Sequence, residues 1–309
     1  MLFRFFFAAI LALTAPLAFC AAADAPASRY AFALPPAERF EVGATLVERY
    51  GSGTRPLILI PGLAGGAWVW QEAVRRFMPE HTVYVLTFPG FDGRPAVPGA
   101  TLAAARQSLV DLIETRKLAK PALIGHSMGG TMALAVAAEH PDLVGAVVTV
   151  DGLPVFPGTE EMPAQQRAHM IDGLRARMGH ISQAVFADQQ QEYMRAIGVV
   201  DMGRADELAK LNAKSDPGAV AAYMAEAFAL DLRTELPKIT APVLVIAPYL
   251  DADAQTQQMT EPAKTAYYRS IMQGTPHVTV VPVAPARHYA MFDAPDQVFA
   301  IIGEFLKLH

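Results

Sequence analysis

A serine in the middle of the chain stands in a pattern that can activate its hydroxyl. The residues Gly125-His126-Ser127-Met128-Gly129 have the form G-x-S-x-G, and they follow an apolar run, Ala122–Ile124, that is typical of a buried strand. A helix is predicted to begin directly after Ser127, so the serine would occupy a tight turn in which the glycines let strand and helix pass closely. The helix N-terminus would add backbone N–H groups and a positive dipole beside the hydroxyl. The pattern therefore predicts a nucleophilic Ser127.

His288 is the candidate general base for this serine. It follows a predicted strand, Val278–Val281, and precedes a predicted helix, Pro295–Leu308. A neutral imidazole in that loop can accept the Ser127 proton and return it to a leaving group. The other histidines lie next to the serine, at helix or chain ends, or away from this loop, so their claims are weaker.

These residues need a scaffold that brings distant parts of the chain together. Short apolar runs typical of strands buried on both faces alternate with segments of helical periodicity. The predicted strands are Ala44–Tyr50, Pro56–Ile60, Val83–Leu86, Ala122–Ile124, Val144–Val150, Val243–Ile246 and Val278–Val281. The predicted helices are Trp68–Phe77, Leu102–Leu118, Met128–Glu139, Pro262–Met272 and Pro295–Leu308. The first two strands flank a Gly-Ser-Gly-Thr turn and are predicted to form a hairpin. The alternation predicts a three-layer α/β fold with a mostly parallel sheet.

The alternation stops between Gly152 and Leu236, where helical patterns prevail. We interpret residues 152–236 as a helical cap inserted into one core domain formed by residues 24–151 and 237–309. Six methionines fall in this insertion, and flexible thioethers suit irregular apolar walls. These methionines could line an acyl pocket together with four aromatic residues, although such residues are more typical of a packed core. The aromatic residues are Trp68, Trp70, Phe88 and Phe91.

The G-x-S-x-G turn, the later histidine and the strand–helix order resemble the α/β-hydrolase fold superfamily over essentially the whole chain after the N-terminal segment. The resemblance implies a Ser-His-Asp triad in the chain order nucleophile, acid, histidine. Asp251 best fits the usual position of the acid, about five residues beyond the strand Val243–Ile246. Asp253 is a near alternative. Asp151 is a third, because some relatives carry the acid after the preceding strand.

The resemblance also implies an oxyanion hole of two backbone N–H groups. One comes from Met128, the residue after the nucleophile, and the other from the loop after Pro56–Ile60, where we choose Leu63. Relatives usually have His-Gly where this chain has Pro61-Gly62, which leaves open how the loop is braced. Thr87 is a second departure, because many relatives carry aspartate at that structural position.

The function implied is a serine hydrolase that cleaves carboxylic esters through an acyl-enzyme. Other chemistries known on this fold are alternatives: aminopeptidase, acyltransferase, cofactor-free haloperoxidase and C–C hydrolase. A non-catalytic binding protein is a rival from another class, but such proteins typically lose a triad member. A dehalogenase needs a carboxylate where Ser127 stands.

The composition and the N-terminal segment indicate which classes of partner and which cellular compartment to expect. The 309 residues carry a net charge of −5 without a Lys/Arg cluster, which argues against nucleic acid, and no nucleotide or metal motif implies a cofactor. We expect a small apolar acyl substrate and no stable membrane anchor. Arg4, an apolar run and Ala21-Ala22-Ala23 are typical of a signal peptide over residues 1–23, which predicts export to the periplasm or medium. The single cysteine, Cys20, falls within that segment, so no disulfide is expected.

Overall fold

The computed structural model describes Tyr30, Ala31 and residues 33–178, 181–257 and 259–309. The predicted signal peptide and Cys20 lie outside the described residues, so the prediction of export stays a prediction. In the part of the chain that is described, none of the helices is both long and apolar enough to span a membrane.

Eight strands form one sheet in the order β1-β2-β4-β3-β5-β6-β7-β8. The strands are β1 (Glu38–Val42), β2 (Thr45–Tyr50), β3 (Arg55–Ile60), β4 (His81–Thr87), β5 (Ala122–His126), β6 (Ala146–Val150), β7 (Val243–Pro248) and β8 (Val278–Val283). Six neighbouring strands of the sheet run parallel: β4, β3, β5, β6, β7 and β8. At one edge, β2 is antiparallel to both of its neighbours, β1 and β4. The mostly parallel sheet expected from the apolar runs is confirmed.

Helices connect the strands and cover both faces of the sheet. They are α1 (Gln71–Phe77), α2 (Leu102–Thr115), α3 (Met128–Glu139), α4 (Ala164–Met178), α5 (Gln183–Tyr193), α6 (Met202–Asn212), α7 (Pro217–Ala229), α8 (Asp251–Gln257), α9 (Glu261–Ile271), α10 (Ala290–Asp293) and α11 (Pro295–Leu308). Short 3₁₀ helices at Ala67–Trp70 and Leu236–Lys238 and a π-helical turn at Met194–Gly198 complete the described elements. The three-layer α/β fold is therefore confirmed.

The predicted hairpin between the first two apolar runs is wrong. β2 pairs with β1 on one side and β4 on the other, so β4 separates β2 from β3. The turn that does form a hairpin is at Gly43, whose φ of +55° suits glycine, and its outer strand is the polar, half-exposed β1. β3 is apolar and buried, so it gains more from parallel neighbours on both sides than from a place near the edge.

Successive residues of the central strands pack into two different cores. Ile58, Leu123 and Val147 belong to the cluster on one face of the sheet, while Leu57 and Val148 belong to the cluster on the other. Because side chains alternate along a strand, a run of apolar residues is what burial on both faces requires. Each fully buried aliphatic side chain contributes roughly 1.5–3 kcal/mol to this packing.

The segment between β6 and β7 carries helices α4 to α7 and the π-helical turn. In its described residues the only β pairing is an isolated bridge between Val155 and Asp231, at the two ends of the segment. α4 packs against α7, and α5 packs against α6 and the π-helical turn. We refer to residues 152–236 as the cap.

The glycines around Ser127 allow three backbone segments to meet. A Cβ added to Gly125 would lie 2.2 Å from the Gly129 carbonyl oxygen, and one added to Gly129 would lie 2.3 Å from the Ile60 carbonyl oxygen. Real Cβ atoms do not approach backbone so closely, so the end of β3, the end of β5 and the start of α3 can touch only because both residues are glycine. This packing fixes the serine turn against the loop after β3.

We expect Gly125→Ala to lower the free energy of unfolding by about 2–4 kcal/mol, because the added methyl forces α3 away from β5. Gly173→Ala is the matched control, since it places the same methyl in helix α4 with nothing within 4 Å. That control should be neutral or stabilising by up to about 1 kcal/mol. Chemical denaturation measures both values, and equal effects of the two changes would contradict this account of the turn.

Candidate active site

Ser127 occupies a strained turn at the start of helix α3. Its φ of +52° and ψ of −123° lie in a region that residues with a side chain rarely adopt. Two backbone hydrogen bonds stabilise this conformation. The Ser127 N–H donates to the Val150 carbonyl at 2.9 Å, and the Ser127 carbonyl accepts from the Gly130 N–H at 2.8 Å. The sequence pattern predicted this strand–turn–helix setting, and the structure has it.

A buried carboxylate contacts the candidate base. Oδ2 of Asp151 lies 2.5 Å from Nδ1 of His288, and Oδ1 accepts a hydrogen bond from the Tyr268 hydroxyl. The Asp151 and His288 side chains are only 15% and 16% exposed. With the Nδ1 proton directed at the carboxylate, the free lone pair of the neutral imidazole is on Nε2, where a base needs it.

The electrostatics keep Asp151 ionised. Burial by itself raises the pKa of this carboxyl, but the charge and hydrogen bond of His288, helped by Lys264 and Tyr268, outweigh burial and lower the pKa to about 2. Asp151 is therefore an anion throughout the neutral range. An anion at this place stabilises the imidazolium that forms when the histidine accepts a proton.

The carboxylate against His288 is thus Asp151, and the expectation that Asp251 takes this place is wrong. β7 ends at Pro248 and the chain turns at once into α8, so Asp251 is the exposed first residue of that helix. An acidic residue there is favoured by the helix dipole without any tie to the histidine. Asp253, the near alternative, instead forms a two-point ion pair with Arg287 at 2.7 and 2.9 Å.

The backbone N–H groups of Met128 and Leu63, the oxyanion-hole candidates, belong to residues beside the same cavity as Ser127. Met128 is the first residue of α3 and Leu63 belongs to the loop after β3, and both line the same cavity as Ser127. Within the described residues neither N–H donates to another backbone group outside the regular elements, and the first N–H groups of a helix have no partner inside it. Both donors are therefore available to a ligand.

The loop that carries Leu63 is braced by the cap rather than by a histidine. Ser215, just after α6, donates its hydroxyl hydrogen bond to the Ala64 carbonyl at 2.9 Å and accepts one from the Asp92 N–H at 3.1 Å. Within the loop, Gly65 N–H donates to the Gly62 carbonyl at 3.0 Å. These contacts supply the support that Pro61 cannot give, and nothing in the sequence pattern pointed to Ser215.

His126, beside the nucleophile, is a fully buried neutral imidazole. Burial lowers its pKa well below the usual value, and the neighbouring His288 lowers it further. Its Nε2 lies 3.1 Å from the His288 carbonyl oxygen and therefore donates to it. His126 thus positions the backbone of the histidine loop, and its buried neutral ring does not serve as a second base.

The histidine loop is also hydrogen-bonded to the π-helical turn of the cap. The N–H groups of His288 and Tyr289 donate to the carbonyls of Ile197 and Gly198 at 3.2 and 2.9 Å. Arg287, held by its carboxylate partner, donates to the Arg195 carbonyl at 2.8 Å. The position of His288 therefore depends on the cap as well as on the core.

Ser127, Asp151 and His288 line one cavity of about 410 Å³ between core and cap. Most of its wall is apolar, and Phe156 and Phe228 stack on each other there with ring centroids 3.7 Å apart. Of the residues considered from the sequence as pocket candidates, Met224 lines this cavity. The four aromatic candidates are instead buried in the core: Trp68, Trp70, Phe88 and Phe91. The other cap residues of the wall were missed because helical periodicity does not tell which side of a helix meets a cavity.

Among the described residues no cluster of His, Cys, Asp and Glu has the arrangement of a metal site. Among the described residues that line the cavity, Asp151 is the one carboxylate, and His126 and His288 are the imidazoles. The chemistry that this arrangement supports uses a serine, an imidazole, a carboxylate and backbone donors.

A family model described as the alpha/beta hydrolase family matches residues 57–301 of the chain. Pimeloyl-[acyl-carrier protein] methyl ester esterase of Yersinia enterocolitica is 26% identical over 212 residues, which are 65% of this chain and 77% of that protein. The protein of the same name from Proteus mirabilis is 30% identical over 114 residues, or 37% of this chain. The chain spans only 42% of the length of that Proteus relative.

Solved structures share the fold. A thermophilic esterase from Thermogutta terrifontis superposes with a TM-score of 0.70 and 21% identity, covering 88% of this chain and 98% of that one. The enol-lactonase from Burkholderia xenovorans superposes with a TM-score of 0.64 and 21% identity, covering 87% and 100%. At this sequence identity the likeness shows a shared fold and no more.

Asp151→Asn is expected to lower kcat/KM for a hydrolysed ester by about 10³–10⁴-fold, because an amide cannot hold the Nδ1 tautomer or offset the imidazolium. Asp251→Asn is the matched control and should leave kcat/KM close to wild type, since that side chain is exposed and bonds to Tyr249 rather than to His288. Steady-state kinetics on both variants measure the difference. A larger loss in Asp251→Asn would contradict the assignment of Asp151.

Asp92 lies against Gly66 in the loop that carries Leu63. Burial raises the pKa of Asp92 from 3.8 to about 6, with Lys214 opposing the rise. The native state therefore binds this proton more tightly than the unfolded chain, so the contribution of Asp92 to stability falls as pH rises from about 4 to about 6. Asp92→Asn removes the penalty and should raise the free energy of unfolding at neutral pH by about 1–3 kcal/mol.

Denaturation of wild type and Asp92→Asn at acidic and at neutral pH measures that effect. The gain should be small at a pH well below 3.8, where the carboxyl is protonated in both states. The exposed Asp142→Asn is the matched control and should show no such pH-dependent gain. A pH-independent effect of Asp92→Asn would show that its ionisation is not the cause.

Proposed function

The chain belongs to the alpha/beta hydrolase family, and we propose that it is a serine hydrolase that cleaves carboxylic esters through an acyl-enzyme. One observation carries the proposal. The His288 imidazole is hydrogen-bonded to a buried, ionised Asp151 in the cavity where Ser127 stands in its strained turn. That combination has the parts of a nucleophile, a base and an orienting acid.

The reaction follows from the roles of these atoms. Ser127 Oγ attacks the carbonyl carbon of the ester while His288 Nε2 takes the proton of the Ser127 hydroxyl. The carbonyl oxygen of the ester becomes an oxyanion, which the Met128 and Leu63 N–H groups stabilise. His288 returns the proton to the alkoxide as the carbon–oxygen bond breaks and the alcohol leaves. Water then attacks the acyl-serine with His288 again as base, which releases the acid and restores Ser127.

The cavity wall favours a neutral, mainly apolar acyl group. No lysine, arginine or glutamate is among its described lining residues, so an anionic substituent would be buried there without a counter-charge. The apolar side of the wall comes from the segment after β6 and from α7, where Phe156, Met224 and Phe228 meet. The two esterase relatives support ester hydrolysis over the other chemistries of this fold.

A panel of p-nitrophenyl esters from acetate to laurate, together with amino-acid anilides, tests the proposal on the full chain. We expect turnover of the esters with a preference for an apolar acyl group, and little turnover of the anilides. Ser127→Ala should lower kcat by roughly 10⁴-fold or more, as loss of a serine nucleophile does elsewhere.

Ser270→Ala is the matched control for that change. Its hydroxyl lies on α9 and donates to the Tyr267 carbonyl in the same helix, so its loss should leave kcat unchanged. Ester turnover that survives in Ser127→Ala would contradict the proposed nucleophile. Turnover of anilides alone would move the function to amide hydrolysis.

A further inference from the structure

The mainly apolar wall of the cavity beside Ser127 includes a polar stretch formed by two side-chain amides. Gln190 near the end of α5 and Asn212 at the end of α6 both line it. These helices pack against each other and against the π-helical turn, whereas Phe156 and Met224 lie on the other part of the wall. The polar stretch is built by two neighbouring cap helices, so its side chains have a fixed relation to each other.

Asn212 has a buried acceptor that its neighbours do not use. The residue is 1% exposed, and its Nδ2 donates to Oε1 of Gln190 at 2.9 Å. Burial raises the pKa of the nearby Tyr289 phenol and the Asn212 amide lowers it, as expected for an amide N–H beside the phenol oxygen. The Asn212 Oδ1 atom is buried and accepts no hydrogen bond in the described part of the chain.

A structural role explains only half of this arrangement. The bond from Nδ2 to Gln190 ties α5 to α6, and that tie would serve the cap equally well in a fully satisfied amide. An unused buried acceptor destabilises a protein, and buried carbonyl oxygens of side chains normally find a donor. Asn212 lines the cavity but is almost fully buried, so the group that donates to Oδ1 must be one that inserts into the wall beside Gln190.

The charge of the wall defines the donor further. The described lining holds no lysine, arginine or glutamate, and its one carboxylate, Asp151, already has His288 and Tyr268 as partners. A charged group would be desolvated here without an opposite charge, whereas a neutral hydroxyl would need only hydrogen bonds. The Gln190 amide adds an N–H donor on the same wall, which matches the oxygen of a hydroxyl that donates to Asn212.

We propose that the polar pair Gln190 and Asn212 is a subsite for a neutral hydroxyl group carried by the ester substrate, with Asn212 Oδ1 as the acceptor. The inference rests on the proposed ester hydrolysis and names its substrate class, hydroxylated esters of otherwise apolar character. Asn212 is a specificity residue and touches no reacting atom. It discriminates because a methyl group in place of the hydroxyl leaves the buried amide unpaired.

Matched ester pairs test this subsite with the full chain. Each pair consists of an ester with a hydroxyl at one carbon, on the acyl or the alcohol side, and the same ester with a methyl group in its place. At the position that reaches the subsite, wild type should show a kcat/KM preference for the hydroxyl of about tenfold or more. Asn212→Leu should bring the ratio to about one or reverse it, because leucine offers the hydroxyl no acceptor.

Two glutamines provide a matched control. Gln190→Leu should reduce the hydroxyl preference, whereas Gln191→Leu should keep it, because Gln191 is exposed and bonds to Asp206 instead of lining the cavity. Melting curves establish that each variant is folded. A hydroxyl preference that is absent in wild type, unchanged in Asn212→Leu or equally lost in Gln191→Leu would overturn the subsite.

Calorimetric binding of the same pairs to Ser127→Ala separates this inference from the proposed function. Tighter binding of the hydroxyl member that depends on Asn212, together with a wild-type chain that turns over no ester, would support the subsite and contradict ester hydrolysis. Ester turnover without any dependence on the hydroxyl would support the hydrolase and contradict the subsite. If a bound water molecule permanently donates to Asn212 Oδ1 instead, ester turnover will not depend on the hydroxyl, which is the second of these results.

Discussion

The contact between the Asp151 carboxylate and the His288 imidazole, 2.5 Å from Oδ2 to Nδ1, constrains everything around it. An unpaired carboxylate at this depth would cost several kcal/mol, so burial of Asp151 is tolerable only because the imidazole and the Tyr268 hydroxyl take both its oxygens. The histidine loop must therefore reach over the end of β6. Once it does, Nε2 of His288 is the free nitrogen and the serine turn is its neighbour in the cavity.

The cap contributes to this geometry from the other side. Its π-helical turn accepts backbone hydrogen bonds from His288 and Tyr289, and Ser215 holds the loop that carries Leu63. A cap that only covered the cavity would not need these ties. Through them, the helices that form the polar wall are linked to both His288 and the loop that carries Leu63, so the cavity wall and the geometry around Ser127 share the same contacts.

The sequence predicted those features that local chemistry determines. Apolar runs mark the buried strands because parallel strands are covered on both faces, and the glycines around Ser127 mark a turn that no larger residue could form. The hairpin at residues 51–54 was predicted wrongly because two adjacent apolar strands carry no signal that a third strand, β4, lies between them. Pairing partners depend on the whole sheet.

The acid shows the same limit more sharply. Asp251 and Asp151 each follow a buried strand, so spacing alone could not tell which carboxylate meets the imidazole. Only the folded chain shows that α8 begins at Asp251 and turns it outward, while Tyr268 from α9 completes the shell of Asp151. Asn212 could not be found from a pattern either, because its unpaired oxygen is defined by the absence of a neighbour.

The rate at which a fluorophosphonate labels Ser127, followed by peptide mass mapping, tests the central claim most directly. It needs no knowledge of the substrate, because the probe reports an activated serine hydroxyl and a working oxyanion hole. The account predicts a single label on Ser127 in the full chain, formed far more slowly in Asp151→Asn and at the wild-type rate in Asp251→Asn. A folded protein with no label on Ser127, or with labelling that does not depend on Asp151, would contradict it.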